Sequence, residues 1–422
     1  MSKPNPRQIA LDALRTWENG SKHADEILGA LSHRYRLQGP DHGLAQTLFY
    51  GVLRHLSRLD AIIDELKRGK MNHENRCVLR LGIYQLFHTD IAPHAAVNET
   101  VSLARGMRPV VNGILRNAQR QQKELEALAE TWPLAIAQSH PEFLVKRWTE
   151  AFGEEATRQL CIWNNEPSKV FMRANRLAPD GADSEQILTD APKIAAKVKG
   201  KSGFFELIGG APPQEWLEAG IIYIQDPSTS VACGLMNPKR GESVLDACAA
   251  PGGKTALMFD RMHGSGRMLA VDASAARLDL VKQNIRRLGL TGIETDVIDW
   301  QRPPKARLAE MEKFDAILVD VPCSNSGVIR RRVDVRWRLH PTEFIAMQRT
   351  QLAITEACLP LLKPGGRLVY STCSLEKEEN QDVVDLLLSR HPQKLELEET
   401  ADSLPWRDGF DGAFAARLRM KS

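Results

Sequence analysis

The sequence predicts a multidomain protein: an all-α bundle, a small α+β linker subdomain, and an α/β Rossmann-like domain with a mostly parallel sheet. Three observations predict it. Apolar residues recur at helical spacing up to about residue 130, with no β-branched runs bounded by turns. A glycine-punctuated stretch of short mixed segments follows, from about 165 to 225. From about 235 the pattern is strand, loop and helix, repeated. The 422 residues also exceed one ordinary domain. We expect boundaries of 1–135 for the bundle, 136–230 for the connector and small subdomain, and 231–422 for the α/β domain.

In the first region the helical stretches are Ile9-Ala10-Leu11-Leu14, Leu44-Leu48-Val52-Leu53, Leu79-Leu81-Ile83-Leu86, Val97-Val101-Leu103 and Val110-Val111-Ile114-Leu115. They predict five to seven helices. Pro133 and Pro141 punctuate a helical connector. Val170-Phe171-Met172-Arg173 and Gly203-Phe204-Phe205-Glu206-Leu207 read as short strands. Later strands are expected at Ser243–Asp246, Met268–Asp272, Ala316–Asp320 and Arg367–Tyr370, with helices over Ala275–Leu288 and Pro341–Leu362 between them. Several of these strands end in Asp or lead into Cys. Ligands in an open α/β sheet bind beyond the carboxyl ends of its strands, so these polar atoms converge on one crevice.

Composition narrows the function class. No run of eighteen apolar residues occurs, so no membrane span is expected. The polar start Met1-Ser2-Lys3-Pro4-Asn5-Pro6 lacks the apolar core of a secretory signal. Seven cysteines at irregular spacing, with no CxxC pair, suggest neither a zinc site nor a disulfide framework, and point to a reducing cytoplasm. No metal is expected. Net charge is only +3. Residues 1–130 hold 18 Lys and Arg against 14 Asp and Glu, and the densest basic cluster is Arg330-Arg331-Arg332 with Arg336 and Arg338. Arg330 and Arg331 are the RNA-binding candidates.

The first chemical motif is Val244-Leu245-Asp246-Ala247-Cys248-Ala249-Ala250-Pro251-Gly252-Gly253-Lys254-Thr255. A strand runs into a small-residue loop and then a helix, so a ligand can approach the backbone and meet the amides of a helix N-terminus. It is neither GxGxxG nor GxxxxGK[ST], and Pro251 removes an amide that a phosphate cradle would use. A carboxylate such as a methionine tail is the better anion. Residues 248–254 are therefore cofactor-binding candidates. Asp272, at the next strand end, suits ribose hydroxyls. Asp299, or Asp296 in its place, suits an adenine amino group.

The second motif pairs Asp320-Val321-Pro322-Cys323 with Ser371-Thr372-Cys373-Ser374. Carbon 5 of a pyrimidine is too weak a nucleophile to take a sulfonium methyl directly. A thiolate added at carbon 6 makes carbon 5 enamine-like. The adduct must then lose the carbon-5 proton and expel the enzyme, a step in which a second cysteine assists. Asp320 beside them is placed to hydrogen-bond the cytosine edge as charge develops.

On these motifs the chain resembles the small-subunit ribosomal RNA group of the NOL1/NOP2/Sun family of cytosine-5 methyltransferases. Ser326-Gly327-Val328-Ile329-Arg330-Arg331, Glu378-Glu379-Asn380, Gln225-Asp226-Pro227-Ser228 and the tail Asp411–Leu418 match the same family. The resemblance implies S-adenosylmethionine as cofactor, bound by Cys248, Ala249, Ala250, Pro251, Gly252, Gly253, Lys254, Asp272, Asp299 and Asp320. It implies Cys373 as nucleophile, Cys323 as the residue of product release, and Asp320 on the cytosine edge. Tyr50–Arg54, Leu79–Leu86, Ala96–Val101 and Val111–Arg116 resemble the NusB RNA-binding domain. The implied partner is protein-free or early-assembly small-subunit rRNA, met by a monomer. A tRNA cytosine-5 methyltransferase and a non-catalytic NusB-like RNA scaffold are the alternatives; the NusB-like region argues against the first and the two cysteines against the second. Arg332-Val333 and Val321 depart from the family pattern, which has His or Asn then Pro, and Ala, at those places.

Overall fold

The computed structural model describes residues 5–67 and 69–421, the side chain of Lys305 excepted. Met1–Pro4 lie outside the described residues, and with them most of the stretch read for a signal. The chain forms two compact units: residues 1–167 with 329–339, and residues 168–328 with 340–422. The division departs from the expected boundaries at 135 and 230. Residues 136–167 group with the first unit, and eleven residues from within the α/β region group there too.

The first unit is helical. Asn5 caps the helix Pro6–Glu18 by accepting from Arg7 N at 2.9 Å, with Pro6 in the first turn. Asn72 likewise caps His73–His88, accepting from Asn75 N at 3.0 Å. That second helix is buried from Cys77 to Leu86, on every face. This is why its sequence shows an apolar run rather than one stripe. Gly39–Arg54, Pro93–Leu103 and Arg108–Arg120 surround it, and their Phe49, Val52, Val97, Val111 and Leu115 share its core. Arg80, buried in this helix, makes two 2.8 Å bonds to Asp60 and a further one to Glu18. Glu18, His73 and Cys77 bring donor atoms within 4.8 Å of one another. Arg80 neutralises Glu18, and burial with the Glu18 hydrogen bond pushes the Cys77 thiol up to about 12, both of which oppose a metal.

The eleven inserted residues carry the whole basic cluster. Val333 joins the helical core. Arg330 is buried, with its guanidinium 3.8 Å from the centre of the Trp163 ring and its Nε donating to Pro167 O at 3.1 Å. Arg336 is wholly buried and donates to Asn165 Oδ1 at 2.8 Å, Asn164 O at 3.0 Å and Ser139 O at 3.1 Å. Trp337 Nε1 donates to Leu53 O at 2.8 Å, and Asp334 accepts from Ala24 N at 3.0 Å.

The second unit contains two sheets. The smaller is antiparallel, with order β2-β3-β1-β4, built from β1 (Phe171–Ala174), β2 (Ala195–Lys197), β3 (Phe204–Leu207) and β4 (Ile222–Ile224). Met172, Phe205, Ile222 and Trp216 form its core. The larger is seven-stranded: β5 (Ser243–Asp246), β6 (Arg267–Asp272), β7 (Ile293–Val297), β8 (Phe314–Asp320), β9 (Leu362–Thr372), β10 (Leu395–Ser403) and β11 (Ala413–Met420). Its order is β10-β11-β9-β8-β5-β6-β7. Five strands pair in parallel, β11 runs antiparallel between β9 and β10, and β10 again points the way of the five. The expected Rossmann-like domain with a mostly parallel sheet is thus present. Strand order reverses between β5 and β8, and a crevice opens at such a switch point beyond the carboxyl ends. The edge strand β10 exposes Glu396, Glu398 and Glu399, charges that discourage pairing with another chain.

Substituting Arg336→Leu would leave three buried acceptors unpaired, at a cost of about 3 kcal/mol. The expected result is an earlier urea midpoint in a melt followed by tryptophan fluorescence; an unchanged midpoint would contradict the structural role assigned here.

Candidate active site

β5 ends in Asp246, and the loop that follows is pinned rather than mobile. Ala249 N donates to Val271 O at 2.8 Å and Gly252 N to Ala249 O at 2.7 Å. Gly252 turns the chain at φ +104° into the helix Gly253–Arg261. Gly253 has no room for a side chain: a Cβ there would lie 2.9 Å from the Tyr223 ring and 3.0 Å from the Gln225 amide. The loop borders a cavity of about 240 Å³ lined by Tyr223, Gln225, Asp226, Asp246, Cys248, Ala249, Ala250, Pro251, Gly253, Lys254 and Asp320.

The cavity is electrostatically organised. Lys254 Nζ meets Asp320 Oδ2 at 2.7 Å. Burial works against the lysine's charge, but Asp320 outweighs it and holds Lys254 protonated. Thr255 Oγ1 donates to Asp246 Oδ2 at 2.6 Å, while Asp246 Oδ1 is buried with no protein partner. Burial and the nearby Asp320 push the Asp246 carboxyl up to about 7. An orphaned acidic oxygen at a strand end, above a helix N-terminus, suits a ligand carrying both an ammonium or hydroxyl donor and a carboxylate.

Asp272 and Asp299 are not part of that lining. Asp272 is buried and accepts from Ser274 N at 3.0 Å and Ala250 N at 3.3 Å, so it supports the loop's backbone from beneath. Asp296 lies within β7 and is paired with Arg307, whereas Asp299 lies two residues past the strand end, accepting from Gln301 N at 3.0 Å. Gly252 also stands outside the cavity wall.

The two cysteines do meet. β8 and β9 pair in parallel with Asp320 opposite Ser371. The two loops that leave these strands therefore run side by side, and Cys323 Sγ lies 3.2 Å from Cys373 Sγ. Cys323 is buried; its hydrogen bond with Cys373, together with burial, pushes its thiol well above the usual range. Cys373 is the more exposed of the two. Its thiol donates to Asn325 Oδ1 at 3.3 Å, and Asn325 Nδ2 donates to Cys323 O at 2.9 Å. Asn325 sits at φ +61°, a conformation few side chains adopt. Gly327 lets the loops touch: a Cβ there would fall 2.6 Å from Cys373 O.

A buried carboxylate ties the loops together. Glu379 accepts from Ser374 Oγ at 2.7 Å and from Ser324 N and Gln351 Nε2 at 2.8 Å. Sequence reasoning assigned no role to Glu379, Asn325, Asp246 or Tyr223. Glu379 had one usable signal, its place in Glu378-Glu379-Asn380, seven residues past the end of β9. Of the two arginines expected on RNA, Arg330 is corrected: its buried guanidinium is spent on Trp163 and Pro167 and faces no solvent. Arg331 is exposed beside Asp25 and Asp334.

Residues 233–419 match the family model described as 16S rRNA methyltransferase RsmB/F. Residues 4–120 match the NusB family, and residues 140–202 the ferredoxin-like domain of RsmF/B-like methyltransferases. A probable ribosomal RNA small subunit methyltransferase B of Bacillus subtilis is 32% identical over 448 residues, covering 100% of both chains. The methyltransferase B of Citrobacter koseri is 33% identical over 437 residues, again with 100% coverage of both. The chain belongs to the ribosomal RNA small subunit methyltransferase B family. Among solved structures, a methyltransferase homologue from Pyrococcus horikoshii is 27% identical with TM-score 0.58, covering 68% of this chain and 98% of its own. The structure of PH0851, at 24% identity and TM-score 0.77 over 99% of each chain, shares the fold. The family is one of RNA methyltransferases, so the protein is an enzyme. Among the described residues no helix is long and apolar enough to cross a membrane.

Two outcomes follow from the geometry. Because the folded protein holds the Asp246 proton up to about pH 7, against an ordinary carboxyl value of 3.8, it binds more protons than the unfolded chain in that window. This carboxyl therefore costs stability as pH rises from about 4 to 7. Asp246→Asn removes that loss, so urea melts of the ligand-free variant should gain on the wild type as pH increases; parallel curves would refute it. Asn325→Gly, favoured at this φ, removes the acceptor that holds the Cys373 proton. Alkylation of Cys373, read by peptide mass spectrometry at pH 8, should quicken roughly fivefold, the scale of one hydrogen bond.

Proposed function

We propose that the protein methylates carbon 5 of a cytosine in small-subunit rRNA, using S-adenosylmethionine, through a covalent bond between Cys373 and carbon 6 of the base. The observation that carries this reading is the Cys323–Cys373 contact beside the Lys254–Asp320 pair at two adjacent strand ends. A single buried thiol has an ordinary packing role. Two thiols in contact, next to an ion pair and a ligand-sized cavity, have the parts a pyrimidine C5 transfer requires.

The residues divide the work as follows. Cys373, the more exposed thiol, loses its proton and adds to carbon 6, which pushes electron density to carbon 5. Asp320 holds the exocyclic amine or protonated ring nitrogen, and Lys254 balances its charge as the ring becomes enamine-like. Residues 248–254, with Asp272 and Asp299, would hold the cofactor, which when bound would supply the methyl group for carbon 5. Loss of the carbon-5 proton to a base then restores the double bond and expels the Cys373 thiolate. Cys323, whose raised pKa keeps it protonated, stabilises the departing sulfur as a hydrogen-bond donor within reach of it. The target base must be unpaired or flipped to admit a thiolate above its ring. The NusB-like region supports rRNA over tRNA as substrate, in a protein-free or early-assembly state, and Arg331 is the exposed arginine we place toward it.

Transfer of labelled methyl from S-adenosylmethionine to protein-free 16S rRNA, to assembled subunits and to tRNA tests the substrate. Bisulfite sequencing of the product tests the atom modified. Cys373→Ala should lower transfer by roughly 10³-fold or more while cofactor binding persists. Cys323→Ala should accumulate a protein–RNA adduct that survives denaturing electrophoresis. Label reaching tRNA alone, or a fully active Cys373→Ala enzyme, would defeat the proposal.

A further inference from the structure

The second unit holds another cavity, of about 370 Å³, that shares no lining residue with the one at the β5 end. Arg173 on β1, Arg176 just beyond it, and Lys201 and Ser202 in the turn before β3 form one wall. Asp260 and Arg261, at the end of the helix Gly253–Arg261, form the other. Four cationic side chains thus face one carboxylate. Arg176 and Arg261 are partly engaged: Arg176 Nη2 donates to Ser202 Oγ at 2.9 Å and its Nε to Glu185 Oε1 at 2.6 Å, and Arg261 Nη1 donates to Cys233 O at 2.8 Å.

Arg173 is the telling residue. Its side chain is 2% exposed, and its Nε donates to Gln225 Oε1 at 2.7 Å. Its Nη1, however, has no hydrogen-bond partner, and neither has Asp260 Oδ1. The two side chains stand 3.9 Å apart, from Arg173 Nη1 to Asp260 Oδ2, too far for a direct hydrogen bond. One wall therefore presents a buried donor lacking an acceptor, and the other a buried acceptor lacking a donor. Folded proteins rarely leave such atoms unsatisfied.

A bare anion satisfies only the first. A ribose phosphate of RNA satisfies both, because its phosphate oxygens accept and its 2′-hydroxyl donates. We propose that this cavity binds one ribose-phosphate unit of the RNA substrate, with the phosphate against Arg173, Arg176 and Lys201 and the 2′-hydroxyl on Asp260. The proposal rests on the reading of the chain as an RNA methyltransferase and adds to it a defined contact outside the reacting crevice. DNA lacks the hydroxyl, and a free phosphate ion lacks the sugar, so both are distinguishable.

The test uses the full chain and protein-free 16S rRNA, with filter binding across a salt series. Arg176 and Lys201 lie outside the cofactor cavity and the cysteine loops, and Arg176→Ala and Lys201→Ala are surface changes. Each should weaken RNA binding severalfold and lower the slope of log affinity against log salt by about one. KM for S-adenosylmethionine should stay at the wild-type value. A DNA strand of the same sequence should bind more weakly to the wild type and lose less in the variants. Wild-type RNA affinity and salt slope in the double variant would overturn the proposal. So would a free-phosphate result, in which millimolar inorganic phosphate raises the melting temperature of the wild type alone while RNA affinity is unaffected. Failure of the wild type to methylate any RNA would instead sink the activity reading, which the binding series reports on separately.

Discussion

The proposed chemistry of this protein depends on the register of two neighbouring parallel strands. With Asp320 opposite Ser371, the segments leaving β8 and β9 emerge together, and each places a cysteine three or two residues on. A slip of one residue would send alternate side chains to opposite faces and separate the thiols. The buried Glu379 fixes that register from beyond the strands, because it accepts hydrogen bonds from Ser324 on one loop and Ser374 on the other. A buried acid is costly unless its oxygens are paired. Here the pairing consumes donors from both loops, so the carboxylate is satisfied only while the loops stay in contact.

The proposed cofactor side depends on the same sheet. β5 is the strand from which chain order departs in both directions, so Asp246, Lys254 and the small-residue loop occupy the reversal point. The loop is rigid through backbone bonds to Val271 and Ala249, and Asp272 supports it through Ala250 N. The site thus sits on strand ends and a helix N-terminus, elements held by the core, with little left to flexible loops.

The architecture and the candidate site were legible in the sequence to different degrees. The helical region, the small strands at Val170–Arg173 and Gly203–Leu207, and the parallel strands all carried strong periodicity or turn punctuation. The loop 248–254 and the two cysteines were readable because small residues and thiols at strand ends have few other uses. What was hidden depended on long-range pairing. The inward path of Arg330 and Arg336 was hidden, and Arg330 read as an RNA-binding candidate, since nothing local shows that Trp163, Pro167 and Asn164 wait as partners. Asp272 was readable as a strand-end acid, but its hydrogen bond to Ala250 required two strands to be placed side by side. Asn325 was invisible for the same reason: its positive φ and its thiol partner exist only in the folded loop.

The ion pair between Lys254 and Asp320 sets a constraint on how a cytosine can enter. In a water-poor cavity an acid and a base 2.7 Å apart are difficult to separate, because removing one partner exposes an uncompensated charge. On the proposed reading the base does not need to separate them. Lys254 bonds a single oxygen, Asp320 Oδ2, and the side chain is partly exposed. Cytosine offers donors along one edge, an exocyclic amine and, when protonated, a ring nitrogen, and a carboxylate accepts from more than one direction. Asp320 is then able to bind the base while it remains paired, and the lysine tempers the carboxylate until positive character grows on the ring. That arrangement favours the activated base over the resting one, which is the condition for the pair to contribute to rate and not only to binding.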